Sequence, residues 1–396
     1  YFGPDGARYS LTRTHIGSCD FSSGRYCYDE VEGDTLLEHF TIQPDEATLL
    51  PLIKDAQAAS QDGFRIVASP WTAPFWMKDN QDYVGGVLLP ECQQVYADYL
   101  MKYLQAYKNE GIDIWGITPV NEPYGNNNNW ESMYFDPLYE AAFVRDYMGP
   151  TLQQAGFAEV QILAYDQNRV GIPEWADAIY ADSASAKYFG GLAVHWYEST
   201  IEWFPDQFAY AHEKAPEKHI VQTEGCCDAE IPHWQDDAWY WQCEATDWGW
   251  DWAPDDQKHL HPKYVPVFRY ARDLIGCLNN WVDGWIDWNM VLDRQGGPNW
   301  AKNWCLAPVI VAPETDEVYF TPIFFAMAHF SRFLRPEAKV LGVKCESNDV
   351  MATAVRNPDG SLAVVVINQG CTPVALDLVI DGKHYDLSIS KEAIQT

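Results

Sequence analysis

The stretch "ITPVNEPYG" (117–125) decides how this sequence reads, because an apolar, β-branched run stops there abruptly on Asn-Glu-Pro. The pattern predicts a buried strand, and the proline ends it because it has no N–H to donate to a ladder. A carboxylate closing a buried strand is costly unless it is paired or employed. Glu122 therefore needs a partner or a task. A second carboxylate, Glu224, closes "HIVQTE" (219–224) in the same way.

Outward from this point, short apolar runs alternate with amphipathic stretches. Strands are expected near 9–16, 64–70, 114–120, 160–166, 192–197, 219–224 and 283–289, with helical patterns such as "CQQVYADYLMKYLQAYKNEG" (92–111) between them. Repeated β-α units imply an α/β fold of parallel strands, either a doubly wound sheet or a (β/α)8 TIM barrel. No Gly-rich phosphate loop follows any strand, which weakens the nucleotide-binding version and with it a nicotinamide-dependent enzyme. Seven strands are legible where a closed barrel takes eight, so the first barrel strand is expected to be missing from the given chain. After "TPIFFAMAHFSRFL" (321–334), read as the last helix, the period changes to two, with Asp-Gly and Asn-Gln-Gly turns. This predicts a small antiparallel β-sandwich domain. The expected division is a catalytic barrel at 1–335 and a sandwich at 336–396, packed rigidly because no low-complexity linker intervenes.

Composition narrows the function. A net charge of −31 repels phosphate backbones and anionic bilayers, so neither nucleic acid nor a membrane surface is an expected partner. No apolar run is long enough to span a bilayer. Eighteen Trp and 23 Tyr exceed what a core requires and hint at stacking on sugar rings, with stacking inside the protein as the plain alternative. The ten cysteines form no CxxC pair and no regular scaffold spacing. Most are expected to be buried thiols, although Cys19 and Cys27 are near enough to pair across a loop. No Asn-x-Ser/Thr sequon occurs, and a secreted or periplasmic bacterial protein that has lost its leader is expected. Oligomeric state is not legible.

Placed on the strand scheme, Arg13, Asp20, Trp71, Asn121, Glu122, His195, Tyr197, Glu224 and Trp288 gather where strands finish. In a β/α barrel that C-terminal rim is where active sites are built. With the absent strand counted first, Glu122 ends strand four and Glu224 strand seven, on opposite sides of the mouth. Two carboxylates facing each other equip a site for glycoside cleavage. A separation of about 5–5.5 Å gives retention of configuration, and roughly 6.5–9.5 Å admits a water and gives inversion. Asn121 is either a turn former before the proline or a donor to the sugar 2-hydroxyl.

The motifs "RTHIGSCDFS", "ASPWTAPFWMK", "VNEPYG", "AVHWY", "TEG" and "WIDWNMVLDRQGGPNW", in this order, resemble glycoside hydrolase family 30, the group of glucosylceramidase and β-1,6-glucanases. The resemblance covers nearly the whole chain. It implies a barrel with an attached β-sandwich and a retaining double displacement. By motif, Glu122 would be the acid/base and Glu224 the nucleophile. Asp20, Trp71, Asn121 and Trp288 would hold sugar hydroxyls, with Asn299 on the loop after the last strand. Arg13 would lie beneath the nucleophile and keep it ionised. His195 and Tyr197 would flank the two acids, Tyr197 as a hydrogen-bond donor to Glu224; His195 reads equally as a satisfied core histidine.

The chemistry needs one acid protonated and the other ionised, so their surroundings must push the two apart. Arg13 serves Glu224, while Glu122, beside Trp and Tyr, is expected to be the apolar, raised one. The Trp-rich segment 226–264 follows the nucleophile and is expected to wall the leaving-group side, where stacked rings suit a glucan better than a lipid. His259 and His261 near Asp255 and Asp256 read as loop composition rather than a metal cluster. Neither a cofactor nor a metal is expected. The leading reading is a retaining hydrolase of β-1,6-glucan or of a glucosylceramide-like β-glucoside. The alternatives are a xylanase of the same family and a carbohydrate-binding protein that has lost catalysis, for which one carboxylate should be replaced.

Overall fold

A computed structural model describes residues 1–125, 130–227, 237–242, 254–303 and 305–396. Seven parallel strands form one sheet in sequence order: β1 (Leu11–Ile16), β2 (Arg65–Pro70), β3 (Gly116–Ile117), β4 (Gln161–Asn168), β5 (Phe189–His195), β6 (His219–Glu224) and β7 (Gly284–Trp285). Each lies within or overlaps a stretch expected from the sequence. The strand around "ITPV" is the exception in extent. Its ladder covers only Gly116–Ile117, and the chain then runs on extended through Thr118–Asn121, held by Thr118 N–H to Ala68 O and Asn121 N–H to Pro70 O.

The sheet curls into a nearly closed barrel. Val67 of β2, Leu163 of β4, Ala193 of β5, Val221 of β6 and Ile286, just past β7, fill its interior as one apolar cluster. The edges β1 and β7 share no ladder among the described residues. They meet through side chains instead, since a Cβ at Gly284 would collide with Leu11. Helices cover the outside. On Gln93–Asn109, the spacing of Tyr96, Tyr99, Leu100, Tyr103, Leu104 and Tyr107 puts all six on one buried face. There Tyr103 stacks on Tyr28, and Tyr26, Tyr28 and Tyr107 each donate a hydroxyl hydrogen bond to the buried Asp45 carboxylate. Much of the tyrosine surplus is thus core rather than sugar platform.

Two features follow the barrel. The connection after β7 carries a small sheet that the sequence did not announce, of β8 (Val291–Asp293), β9 (Val309–Ala312) and β10 (Glu317–Phe320). Beyond the helix Pro322–Ser331 come β11 (Lys339–Leu341), β12 (Val350–Arg356), β13 (Leu362–Asn368), β14 (Val374–Ile380), β15 (Lys383–Ile389) and β16 (Ala393–Gln395), in a four-stranded and a two-stranded antiparallel sheet. β14 and β15 are joined by Asp381-Gly382, both at positive φ, the two-residue turn that matches strand twist. Val365 and Ile367 of β13 belong to the same apolar core as Ile323 and Met327 of the last barrel helix, so the sandwich is fused to the barrel by shared burial. No helix of the described residues is long and apolar enough to cross a membrane.

Candidate active site

The strand ends converge on one buried network. Arg13, from β1, is a guanidinium with almost no solvent contact. Its Nη1 donates to Glu224 Oε2 at 2.6 Å, its Nη2 to Asp166 Oδ2 at 2.6 Å and Asn121 Oδ1 at 2.7 Å, and its Nε to Ser69 Oγ at 3.0 Å. One side chain therefore touches residues at the ends of β2, β3, β4 and β6. Charge-assisted bonds of this kind are the strong ones, and a planar fork is the group that makes several at once.

Asp166 is the second hub and was not singled out from the sequence, although it closes the run "VQILAYD". Its carboxylate is fully buried and accepts from Arg13, Ser69, Thr118, His195 and Thr223. Burial pushes the carboxyl up, but Arg13, His195 and Thr223 together hold it well below the usual carboxylate range. The backbone bends to deliver it: Tyr165 and Asp166 both have positive φ at a register shift in the β4–β5 ladder, and Asp166 O accepts the Glu122 N–H at 3.0 Å. A strained pair of non-glycine residues held by its surroundings is characteristic of a working site.

Glu122 lies on the extension beyond β3, also at positive φ, and its side chain is 20% exposed. The apolar burial expected beside Trp and Tyr is not what surrounds it. Its Oε1 instead meets His195 Nδ1 at 3.1 Å, while His195 Nε2 meets Asp166 Oδ1 at 3.0 Å. Both readings of His195 hold at once, since it is fully buried and satisfied yet flanks the acids. Burial lowers its basicity, but Glu224, Asp166 and Glu122 more than offset this and carry it up to about 9. At neutral pH the ring is an imidazolium that donates from both nitrogens.

Glu224 ends β6. Tyr197 donates its hydroxyl to Glu224 Oε1 at 3.0 Å, opposite the Arg13 bond. Burial raises this carboxyl above its ordinary value, and His195 and Arg13 offset only part of that rise. With a guanidinium at 2.6 Å and a phenol on the other oxygen, the ionised form is the one these partners select. One carboxylate oxygen each of Glu122 and Glu224 and a ring nitrogen of His195 lie within 4.8 Å of one another. Three such donors resemble a metal site by spacing, but the protonated ring has no lone pair to offer and Glu224 is already committed to Arg13.

Above the acids opens a pocket of about 320 Å³. Trp71 and Trp288 line it, stacked at 5.2 Å, and so do Asn121 and Asp20. Burial raises the Asp20 carboxyl well above its ordinary value, and its Oδ1 has no partner while Oδ2 accepts from Asn303 Nδ2 at 2.9 Å. Asn303, not Asn299, reaches the pocket. The Asn299 side chain bonds the Asn303 backbone at both N–H and C=O and holds its own loop. Two asparagines four residues apart in one loop carry no periodic signal that separates them. Cys19 and Cys27 are separate buried thiols. Most of the Trp-rich part of segment 226–264 lies outside the described residues; from it, Gln257 and His261 line the pocket, and His259 does not.

Comparison with known proteins identifies this arrangement. The profile of the glycosyl hydrolase family 30 TIM-barrel domain matches residues 1–334, and that of the glycosyl hydrolase family 30 beta sandwich domain matches residues 337–396. The chain belongs to glycoside hydrolase family 30. It is an enzyme of the O-glycosyl hydrolase class. Among family 30 relatives, putative glucosylceramidase 4 of Caenorhabditis elegans is 34% identical over 413 residues, covering 100% of this chain and 75% of the relative. The crystal structure of SrfJ from Salmonella typhimurium superposes with a TM-score of 0.86 at 30% identity, covering 99% of this chain and 81% of the other. The endo-β1,6-glucanase BT3312 superposes with a TM-score of 0.83 at 27% identity, covering 99% and 82%.

Proposed function

We propose that this family 30 enzyme cleaves β-glucosidic bonds with retention of configuration, on a β-1,6-glucan or a glucosylceramide-like β-glucoside. Glu122 gives a proton to the leaving oxygen while Glu224 attacks the anomeric carbon. The glycosyl ester so formed is then opened by a water that Glu122 deprotonates. The observation that carries this reading is that one carboxylate oxygen of Glu122 and one of Glu224 lie within 4.8 Å of each other, which supports the shorter of the two spacings that glycosidase acid pairs use. The charges support the division of roles. Arg13 and His195 are cationic and Asp166 and Glu224 anionic, so the floor of the site is neutral when Glu122 holds a proton. The Arg13 bond to Asn121 Oδ1 supports Asn121 as the donor to the 2-hydroxyl, and the unpartnered Asp20 Oδ1 near the Trp71–Trp288 stack supports Asp20 as the partner of another hydroxyl.

The names carried by relatives, glucosylceramidase and endo-β1,6-glucanase, support a β-glucoside as substrate. A glucan polymer is met outside the cell membrane, which supports a secreted or periplasmic location. The test is the anomer first released from an aryl β-glucoside, followed by NMR before mutarotation. β-Glucose is expected; α-glucose would overturn the double displacement.

A further inference from the structure

The pocket has two arcs of different character. Asp20 follows β1, Trp71 follows β2, Trp288 follows β7, and Asn303 joins them through Asp20. The opposite arc is built on β4 and β5. Asn168 ends β4, Glu198 follows β5, and Gln257 lies on a segment strapped to the β5 connection. The straps are Ser199 Oγ to Leu260 O at 2.6 Å, Thr200 N–H to Leu260 O at 3.0 Å and Thr200 Oγ1 to Pro262 O at 2.9 Å. Glu122 and Glu224 stand between the arcs. A sugar ring held over Trp71 and Trp288 for attack by Glu224 must send its leaving group across Glu122 toward β4 and β5.

We propose that Glu198, with Asn168 and Gln257, forms a subsite for a hydroxylated leaving group, the next sugar of a β-linked gluco-oligosaccharide rather than a lipid. The inference rests on the β-glucoside reading above. Glu198 is partly buried, lines the pocket, and receives no hydrogen bond from any described residue. An ionised carboxylate only accepts, so with no donor among the described residues Glu198 is met by water or by a ligand that, like water, brings O–H donors. Asn168 lines the pocket and commits its Oδ1 to Tyr197 N–H at 2.9 Å, which leaves its amide N–H groups as the donors it can offer there. Among the described residues lining the pocket, none has an aliphatic side chain. An alkyl chain entering here would bury Glu198 without a partner, the costly arrangement for a charged group.

The experiment compares kcat/KM for β-1,3-, β-1,4- and β-1,6-linked gluco-oligosaccharides, for 4-nitrophenyl β-glucoside and for glucosylceramide in detergent micelles, using the wild-type chain, Glu198→Leu and Glu198→Gln. The wild type should prefer at least one oligosaccharide to glucosylceramide. In Glu198→Leu, the ratio of the best oligosaccharide to the nitrophenyl glucoside should fall about tenfold or more, because a site built for hydroxyl groups loses discrimination when its partner is removed. Glu198→Gln, which keeps one acceptor, should fall less. An unmoved ratio in both variants, or a wild type that prefers glucosylceramide, overturns the subsite. A wild type inactive on every β-glucoside overturns the β-glucoside reading and the subsite with it.

Discussion

His195 Nε2 lies 3.0 Å from Asp166 Oδ1, and through this contact a buried imidazole ties the barrel floor to the acid above it. The same ring reaches Glu122 with its other nitrogen. Asp166→Asn keeps the shape and removes the charge, so the His195 ring, now held up to about 9, should titrate lower. The alkaline limb of kcat for an aryl β-glucoside should move to lower pH by roughly one unit. An alkaline limb that stays in place would show that the ring proton is not used.

Stability should depend on pH from both sides. The His195 proton is bound more tightly in the folded chain, so its contribution is fully present below the unfolded value of about 6.5 and is lost as pH rises through about 9. For this buried group the difference is on the order of 3 kcal/mol. Asp166 behaves oppositely. Its carboxyl is depressed, so its contribution is present above the unfolded value of about 3.9 and is lost as pH falls further. Urea midpoints measured from about pH 2 to 10 should decline at both ends, and His195→Gln should flatten the alkaline decline alone.

The two acids should separate by substrate. Glu224→Ala removes the nucleophile and should lower kcat at least about 10⁴-fold on every substrate. Glu122→Ala should retain most turnover of glycosyl–enzyme formation with a dinitrophenyl leaving group, which needs little protonation, and lose about 10²–10⁴-fold with an alkyl glucoside. Equal losses on both leaving groups would remove the acid role from Glu122.

Removing Arg13 should damage fold and activity together. Arg13→Met leaves Glu224 and Asp166 buried without their shared cation, and breaking a buried pair costs about 3–5 kcal/mol. Arg13→Lys restores one charge but not the fork that spans four strand ends. It should recover stability in urea more than it recovers kcat.

The two asparagines of the post-β7 loop give a further discrimination. Asn303→Ala should raise KM about tenfold by freeing Asp20 from its donor, since a misoriented hydroxyl ligand is the immediate loss. Asn299→Ala, which removes bonds within the loop only, should act mainly by lowering the thermal midpoint.

The parallel strands, the sandwich and the two carboxylates were legible because each rests on a local signal. Val, Ile and Leu runs mark strands, Asp381-Gly382 marks a hairpin, and a Glu closing an apolar run is conspicuous. Arg13, Tyr197 and His195 were legible as rim residues. Asp166 sits at an equally legible strand end, but its importance comes from five donors brought together by five separate segments, which no window of sequence displays. Asn303 was hidden by its neighbour in the same loop. The environment of Glu122 was misread because adjacency to Pro123 and Tyr124 in sequence does not predict the His195 contact made through the barrel. The tyrosines misled by their number, since one helix face and the Asp45 cluster absorb many of them.

Leu11 and Gly284 meet where the barrel's two edges come together without a ladder among the described residues, and Arg13 lies two residues along from Leu11 on the same strand. Its guanidinium bond to Glu224 reaches from that edge strand to the one beside the opposite edge. The ion pair is thereby a clasp across the seam as well as part of the chemistry. Warming that loosens the seam would pull the nucleophile off its cation first, so the enzyme should fall silent at temperatures where its helices are still intact.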